Sequence, residues 1–316
     1  MRELVLRPYR PGDESAIREL FQRTYAREMS EAYWRWRFAE SPGGHAFVEL
    51  AWDGDTLAGH YAVTQLGMLV EGAMVRTGLS GTTMTHPEYR GRGLFVDLAR
   101  STYVRMAEQG LDYVWGFPNT NSHRGFIERL DWFDIHQVPT LEGPVGALPV
   151  PPERPQEVEE IERATSEVDA LWERVRASAA VSVIRDAAYV NWRFADNPSA
   201  SYRLFVHRGA SGCDGLAVTK RYGDALQVVE MLCDDESDVG LTLVEEALRS
   251  ARAQGAARIN LWLNVGTHLH RRLEKWGMVP TAPVTYLGAA SLRAQASPAF
   301  RSYGNWRISM SDSDVY

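Results

Sequence analysis

The stretch that decides the fold runs from Thr82 to Phe126: Thr82-Thr83-Met84-Thr85, then His86-Pro87-Glu88, then Tyr89-Arg90-Gly91-Arg92-Gly93-Leu94-Phe95, then an amphipathic segment. This order predicts a strand, a glycine-rich turn and a helix. Gly91 and Gly93 allow positive φ and close approach of the backbone to a ligand, while a helix beginning near Gly93 turns unpaired N–H groups out of the same turn. Such a turn is an anion site. Arg90 and Arg92 add positive charge, so the expected guest carries a phosphate or pyrophosphate. Taken alone, these four residues also fit a basic tight turn at the start of a surface helix, and the flanking pattern decides between the two.

Leu94, Leu98, Ala99, Tyr103 and Met106 fall on one helical face, Gly110 ends the helix, and Leu111 to Phe117 reads as a buried strand. Asn119 and Asn121 mark a loop, and Phe126, Ile127 and Leu130 mark a second helix ending before Trp132. The order resembles the acyl-CoA-binding core of the GNAT acyltransferases, whose loop reads Arg or Gln, two residues, Gly, one residue, Gly or Ala. Arg90, Gly93 and Phe95 occupy those three places, and Phe95 departs from the pattern by replacing the small residue. The resemblance implies an acyl-CoA, such as acetyl-CoA, held by Met84, Thr85, Arg90, Gly91, Arg92, Gly93, Leu94 and Phe95. It implies that Asn119, Asn121 and Phe126 lie along the pantetheine arm.

A chain of 316 residues is about twice a common domain, so two domains are expected. Apolar content of 45% and charged content of 24% describe an ordinary soluble protein. The net charge of −7, with no basic run, argues against nucleic acid as a partner. Cys213 and Cys233 lie at no metal-ligand spacing, so they are expected to be reduced and no metal is expected. The first residues lack the apolar core of a signal peptide and no stretch approaches a membrane span, which places the chain in the cytoplasm, as a monomer or homodimer.

Six prolines between Val138 and Pro155 read as a linker or covering strap. Ala188-Tyr189-Val190-Asn191-Trp192-Arg193-Phe194-Ala195-Asp196-Asn197-Pro198 then repeats Ala32 to Pro42 at an offset of 156, and Ala217-Val218-Thr219 echoes Ala62-Val63-Thr64. A repeat of this size means two copies of one domain. The expected fold is therefore α/β with mixed sheets: a GNAT-like domain over 1–138 with the acyl-CoA site, a linker over 139–157, and a second GNAT-like domain over 158–316. In the second copy the glycine turn is replaced by Asp234-Asp235-Glu236-Ser237-Asp238, whose acids repel pyrophosphate.

Tyr33, Trp36, Arg37 and Phe38 recur as Tyr189, Trp192, Arg193 and Phe194, in a copy without the glycine turn, so they read as core. Trp34 and Arg35, replaced there by Val190 and Asn191, are expected to meet a substrate, with Glu230 facing it from the second copy. Acyl transfer needs a neutral amine and a proton for the leaving thiolate. For the base, His86, Glu88, His60, His136 and Glu230 are available, and His86 stands nearest the end of the central strand. The resemblance puts the usual thiol acid, a tyrosine, where Ile127 stands, and at Leu273 in the second copy. Tyr103, Ser122 or a water takes its place, or the chemistry is absent. The reading is acyl-CoA-dependent N-acyl transfer to a small-molecule primary amine in the cleft between the domains, in the manner of two-domain acyltransferases of nucleotide-linked amino sugars. Protein amine acetylation and non-catalytic binding of an acyl-CoA or sugar nucleotide are the alternatives.

Overall fold

A computed structural model describes residues 4–151, 157–210, 212–283, 285–293 and 297–316. The chain opens with β1 (Val5–Pro8), α1 (Glu14–Tyr25), α2 (Glu31–Phe38), β2 (Phe47–Asp53), β3 (Thr56–Val70) and β4 (Ala73–Thr85). It continues with α3 (Leu94–Glu108), β5 (Tyr113–Gly116), α4 (His123–Arg129), β6 (Phe133–Val138) and β7 (Leu141–Pro144). Then come β8 (Val158–Ile161), α5 (Ser166–Val175), β9 (Val181–Val183), α6 (Ala187–Val190), β10 (Tyr202–Gly209), β11 (Gly212–Tyr222) and β12 (Ala225–Cys233). The last elements are α7 (Val239–Ala253), β13 (Arg258–Leu261), α8 (His268–Lys275), β14 (Val279–Pro280) and β15 (Thr285–Ser291). Ser30 begins α2 by accepting the Tyr33 amide at 3.0 Å, and Gly93 opens α3 at φ +82°. No helix among the described residues is long and apolar enough to cross a membrane.

Two compact units result, each a mixed sheet with helices. The first comprises Met1–Met68, Met74–His136 and Thr285–Arg301, with strands in the order β1-β2-β3-β4-β5-β15-β6. The second comprises Leu69–Ala73, Gln137–Val284 and Ser302–Tyr316, with strands in the order β14-β7-β13-β12-β11-β10-β8. This division departs from the contiguous one expected over 1–138, 139–157 and 158–316. Within the proline-rich stretch, β7 forms a strand between β13 and β14, pairing Leu141 with Leu261 and with Pro280. Residues 152–156 of that stretch lie outside the described residues. Late in the chain, β15 pairs with β5 in the first unit, Gly288 opposite Gly116. Besides β15, the first sheet takes β9 from the second half of the chain, on β3, and β7 joins the second sheet. Proline is tolerated at strand ends, so Pro139 and Pro144 bracket β7 rather than forbidding it.

In the first unit the core packs α3 and α4 on one side (Leu94, Leu98, Met106, Phe126, Leu130) and α1 and α2 on another (Ile17, Leu20, Trp34, Phe38). In the second, Leu243, Val244, Ala247 and Leu248 of α7 pack on Leu226, Val228 and Ile259. In both units the central parallel pair is short. β4 pairs with β5 from Thr77 to Ser80 and then runs on beside β3 to Thr85, and β12 pairs with β13 only to Val228 and runs on beside β11 to Cys233. Past those points the two central strands share no ladder.

Candidate active site

The turn between β4 and α3 has the geometry the glycines predict. Gly91 sits at φ +77° and Gly93 at +82°, a region in which a side chain is strained, and Arg90, Gly91, Arg92 and Gly93 are all exposed. Arg92 lies over the Tyr89 ring at 4.7 Å and donates to the Glu88 carbonyl at 3.1 Å, while Tyr89 donates to Asp53 at 2.8 Å. These contacts brace the turn from outside. The amides of Leu94 and Phe95 stand in the first turn of α3, where helix N–H groups lack intrahelical partners, an arrangement that suits an anion.

Residues 5–133 match the family described as the acetyltransferase (GNAT) domain. The first unit carries a GNAT acetyltransferase domain. The fold is also that of a probable N-acyltransferase from Enterococcus faecalis, at TM-score 0.75 and 11% identity over 93% of this chain and 74% of that one. A GCN5-related N-acetyltransferase from Anabaena variabilis gives TM-score 0.70 and 12% identity over 90% and 72% of the two chains. Another from Kribbella flavida gives 0.67 and 17% over 95% and 74%. At these identities the likeness is one of fold. No curated protein matches the sequence.

Within the GNAT domain the bulk of Phe95 is accommodated from across the helix pair. Phe95 packs edge-on to Phe126 at 4.9 Å, and a Cβ on Gly125 of α4 would stand 3.0 Å from its ring. Gly125 therefore supplies the space that a small residue at 95 would have supplied. Asn119 caps α4, its Oδ1 accepting the amides of Asn121 at 3.0 Å and Ser122 at 3.1 Å, and Asn121 is exposed. Met84 is buried among α1 and α2 residues, and Thr85 is half-buried.

The proposed acid and base residues separate on burial. The Tyr103 hydroxyl is buried between Tyr61 (2.8 Å) and the Trp132 indole N–H (2.9 Å), and Tyr61 bonds on to Ser80 at 2.7 Å. Burial pushes Tyr103 well above its ordinary range. Tyr103, offered as a thiol acid, keeps its proton there and joins a chain of hydroxyls with Tyr61 and Ser80. His86 is nearly buried, and its Nδ1 accepts the Glu88 amide at 3.3 Å, so in the neutral ring Nε2 carries the hydrogen. Glu88 is exposed in the turn. His60 is fully buried and burial lowers it to about 4, which removes it as a base near neutral pH.

Two substrate-binding expectations are also corrected. Trp34 is buried, 5.2 Å from Tyr9 and 5.9 Å from Phe38, because the α2 face bearing it turns into the α1 layer. Glu230 lies in the second unit, 1% exposed, held by Arg185 at 3.0 Å and by the hydroxyls of Ser309 and Ser311. Arg35 is exposed and pairs with Glu40 at 3.4 Å.

One residue on α4 escaped the sequence reading. His123 donates from Nε2 to Asp134 at 2.6 Å and stacks on Tyr286 at 3.9 Å, with its ring partly exposed. A histidine four residues before Ile127 was the available signal, and its partners on β6 and β15 were not.

Proposed function

We propose that the chain moves an acyl group, acetyl first, from acyl-CoA to the primary amine of a small molecule. The observation that carries this reading is the turn opening α3, where Gly91 and Gly93 hold positive φ beside the exposed Arg90. A pyrophosphate suits that turn, and a pantetheine arm would lie where the β4–β5 ladder ends at Ser80 and Gly116. Leu94, Phe95 and Phe126 back the turn, with Asn119 and Asn121 at the mouth of α4.

His123 supplies the thiolate proton. Side chains at i and i+4 share a helix face and lean toward the N-terminus, so His123 stands on the face from which a tyrosine at 127 would reach. With Asp134 accepting from Nε2, a proton carried on Nδ1 goes to the departing sulfur. Glu88 is the base for the ammonium, because the Nδ1 of His86 is engaged in its cap. The resemblance to two-domain amino-sugar acyltransferases makes a nucleotide-linked amino sugar the first acceptor to offer. Ile127, in the tyrosine's place, favours a second reading in which the chain binds acyl-CoA without turnover.

Calorimetry with acetyl-CoA and CoA tests the site. Arg90→Ala weakens binding of both by about 1.5–3 kcal/mol, the range for a hydrogen bond to a charged group, and Gly93→Asp abolishes it. Thiol release with small amines then follows; binding with no release across small amines and lysine peptides overturns transfer and leaves the carrier reading.

A further inference from the structure

Thr82 is a β-branched residue inside β4 with φ +55°, a conformation in which such a side chain is strained. It stands two residues past Ser80, the last residue of β4 paired with β5. Two side chains hold the strained backbone. His60 of β3 donates from Nδ1 to the Thr82 carbonyl at 2.9 Å, and Tyr25, the last residue of α1, donates to the Thr83 carbonyl at 2.9 Å. Past the kink the His86 amide meets the Ala58 carbonyl of β3 at 2.9 Å.

The direction of these bonds fixes the direction of the amides. In a trans peptide the C=O and the following N–H point opposite ways. With the Thr82 and Thr83 carbonyls drawn to His60 and Tyr25, the amides of Thr83 and Met84 turn the other way. Tyr25 ends α1 and the His60 ring packs on Phe38 of α2, so the carbonyls point to the face that carries those helices and the amides point away from it. His60 is suited to the task because burial, which lowers it to about 4, keeps it neutral with its hydrogen on Nδ1.

The second unit is an internal control. Counting from the Ala62–Ala217 echo, the residue in the place of His60 is Gly215. Two residues past the last parallel pair of β12 stands Glu230, and no residue of β12 has positive φ. The copy without the glycine turn lacks the strained residue and the histidine that holds it.

We propose that His60 and Tyr25 are positioning residues that hold the kink of β4 at Thr82, so that the amides of Thr83 and Met84 meet the thioester carbonyl of a bound acyl-CoA. The assignment rests on the acyl-transfer reading and adds which side chains orient the polarising amides. Neither residue touches the thioester.

The test compares the affinity of acetyl-CoA with that of CoA, which lacks the acyl carbonyl. His60→Leu and Tyr25→Phe each lower the ratio of the two affinities about three- to tenfold, with CoA binding itself unchanged. His60→Asn, whose Nδ2 can stand where the ring Nδ1 stood, restores the ratio. Tyr25 is 40% exposed, so its variant keeps the fold even where His60→Leu does not. In difference infrared spectra with carbonyl-labelled acetyl-CoA, the bound carbonyl band of Tyr25→Phe moves toward its position in water-free solvent. Equal losses for acetyl-CoA and CoA, or an unchanged ratio and band, overturn the assignment. Failure of the wild type to bind either ligand overturns the acyl-transfer reading itself and the assignment with it.

Discussion

The turn after β4 and the turn after β12 stand at the same place in two copies of one fold and are built oppositely. In the first unit Gly91 and Gly93 leave the start of α3 open, flanked by exposed arginines. In the second unit the turn satisfies itself: Asp234 accepts the Glu236 amide at 3.0 Å through its carboxylate and the Ser237 hydroxyl at 2.8 Å through its carbonyl. Past the β12–β13 ladder stands the C-terminal segment, where Arg307 donates to the Cys233 carbonyl at 3.3 Å and the Ile308 amide to Asn264 at 3.1 Å. What remains there is a cavity of about 110 Å³, lined in part by Asp234, Asp235, Asn264 and Arg307. The helix starts differ in the same complementary way. α3 and α7 are each 15 residues long, so Phe95 corresponds to Gly240. Phe95 faces Gly125 of α4, whereas a Cβ on Gly240 would stand 3.0 Å from Leu269 of α8. One fold tolerates either arrangement provided that a large side chain meets a small one; only the turn with open amides and positive charge suits an anion.

The largest effect should come from the lock on the second unit's tail. Arg185 is fully buried between Glu230 (3.0 Å) and Asp312 (2.8 Å), so Arg185→Met leaves buried carboxylates without their cation. We expect a loss of about 3–5 kcal/mol in denaturant unfolding of the full chain; a loss under about 1 kcal/mol would mean that the tail is not what closes this copy. Next is the pH dependence peculiar to the first unit. Native His60 titrates at about 4, below the ordinary value of 6.5. Between those values the unfolded chain binds the proton and the native chain does not, so stability is complete above the upper value and falls with pH through the lower. His60 should account for a loss of about 3 kcal/mol between pH 7 and pH 4, seen as the part of the wild-type slope missing from His60→Asn. If the slopes coincide, the contrast with Gly215 has no energetic content.

Gly125→Leu should destabilise the first unit by about 1–3 kcal/mol through overpacking against Phe95. Adding Phe95→Ala should recover most of that loss, whereas additive losses would show that the two positions do not share one space. The smallest effect is at Arg35, whose ion pair with Glu40 is exposed: Arg35→Ala should leave thermal stability within about 0.5 kcal/mol. That quiet background makes turnover with candidate amines a clean measure of any part Arg35 has in holding the acceptor.

What the sequence determined by itself is what short-range chemistry dictates. Gly91 and Gly93 announced positive φ because other residues strain there, and the spacing of Leu94, Leu98, Ala99 and Met106 announced the buried face of α3. The repeat of the Tyr-x-x-Trp-Arg-Phe helix announced two copies, and Trp36, Phe38, Trp192 and Phe194 are all buried as that repeat required. Tertiary structure decided whatever depends on partners distant in the chain. Trp34 reads as a surface aromatic until Tyr9 and Phe38 are packed on it. Strands β7 and β15 have nothing in their own residues to say which sheet they join, since a ladder is completed by backbone groups that every strand carries alike. The partners of His123, Asp134 and Tyr286, lie on two other strands, and the partner of His60 is a carbonyl, which no side-chain pattern records. Local rules thus located the glycine turn, and packing over long chain separations chose the partners of His123 and of His60.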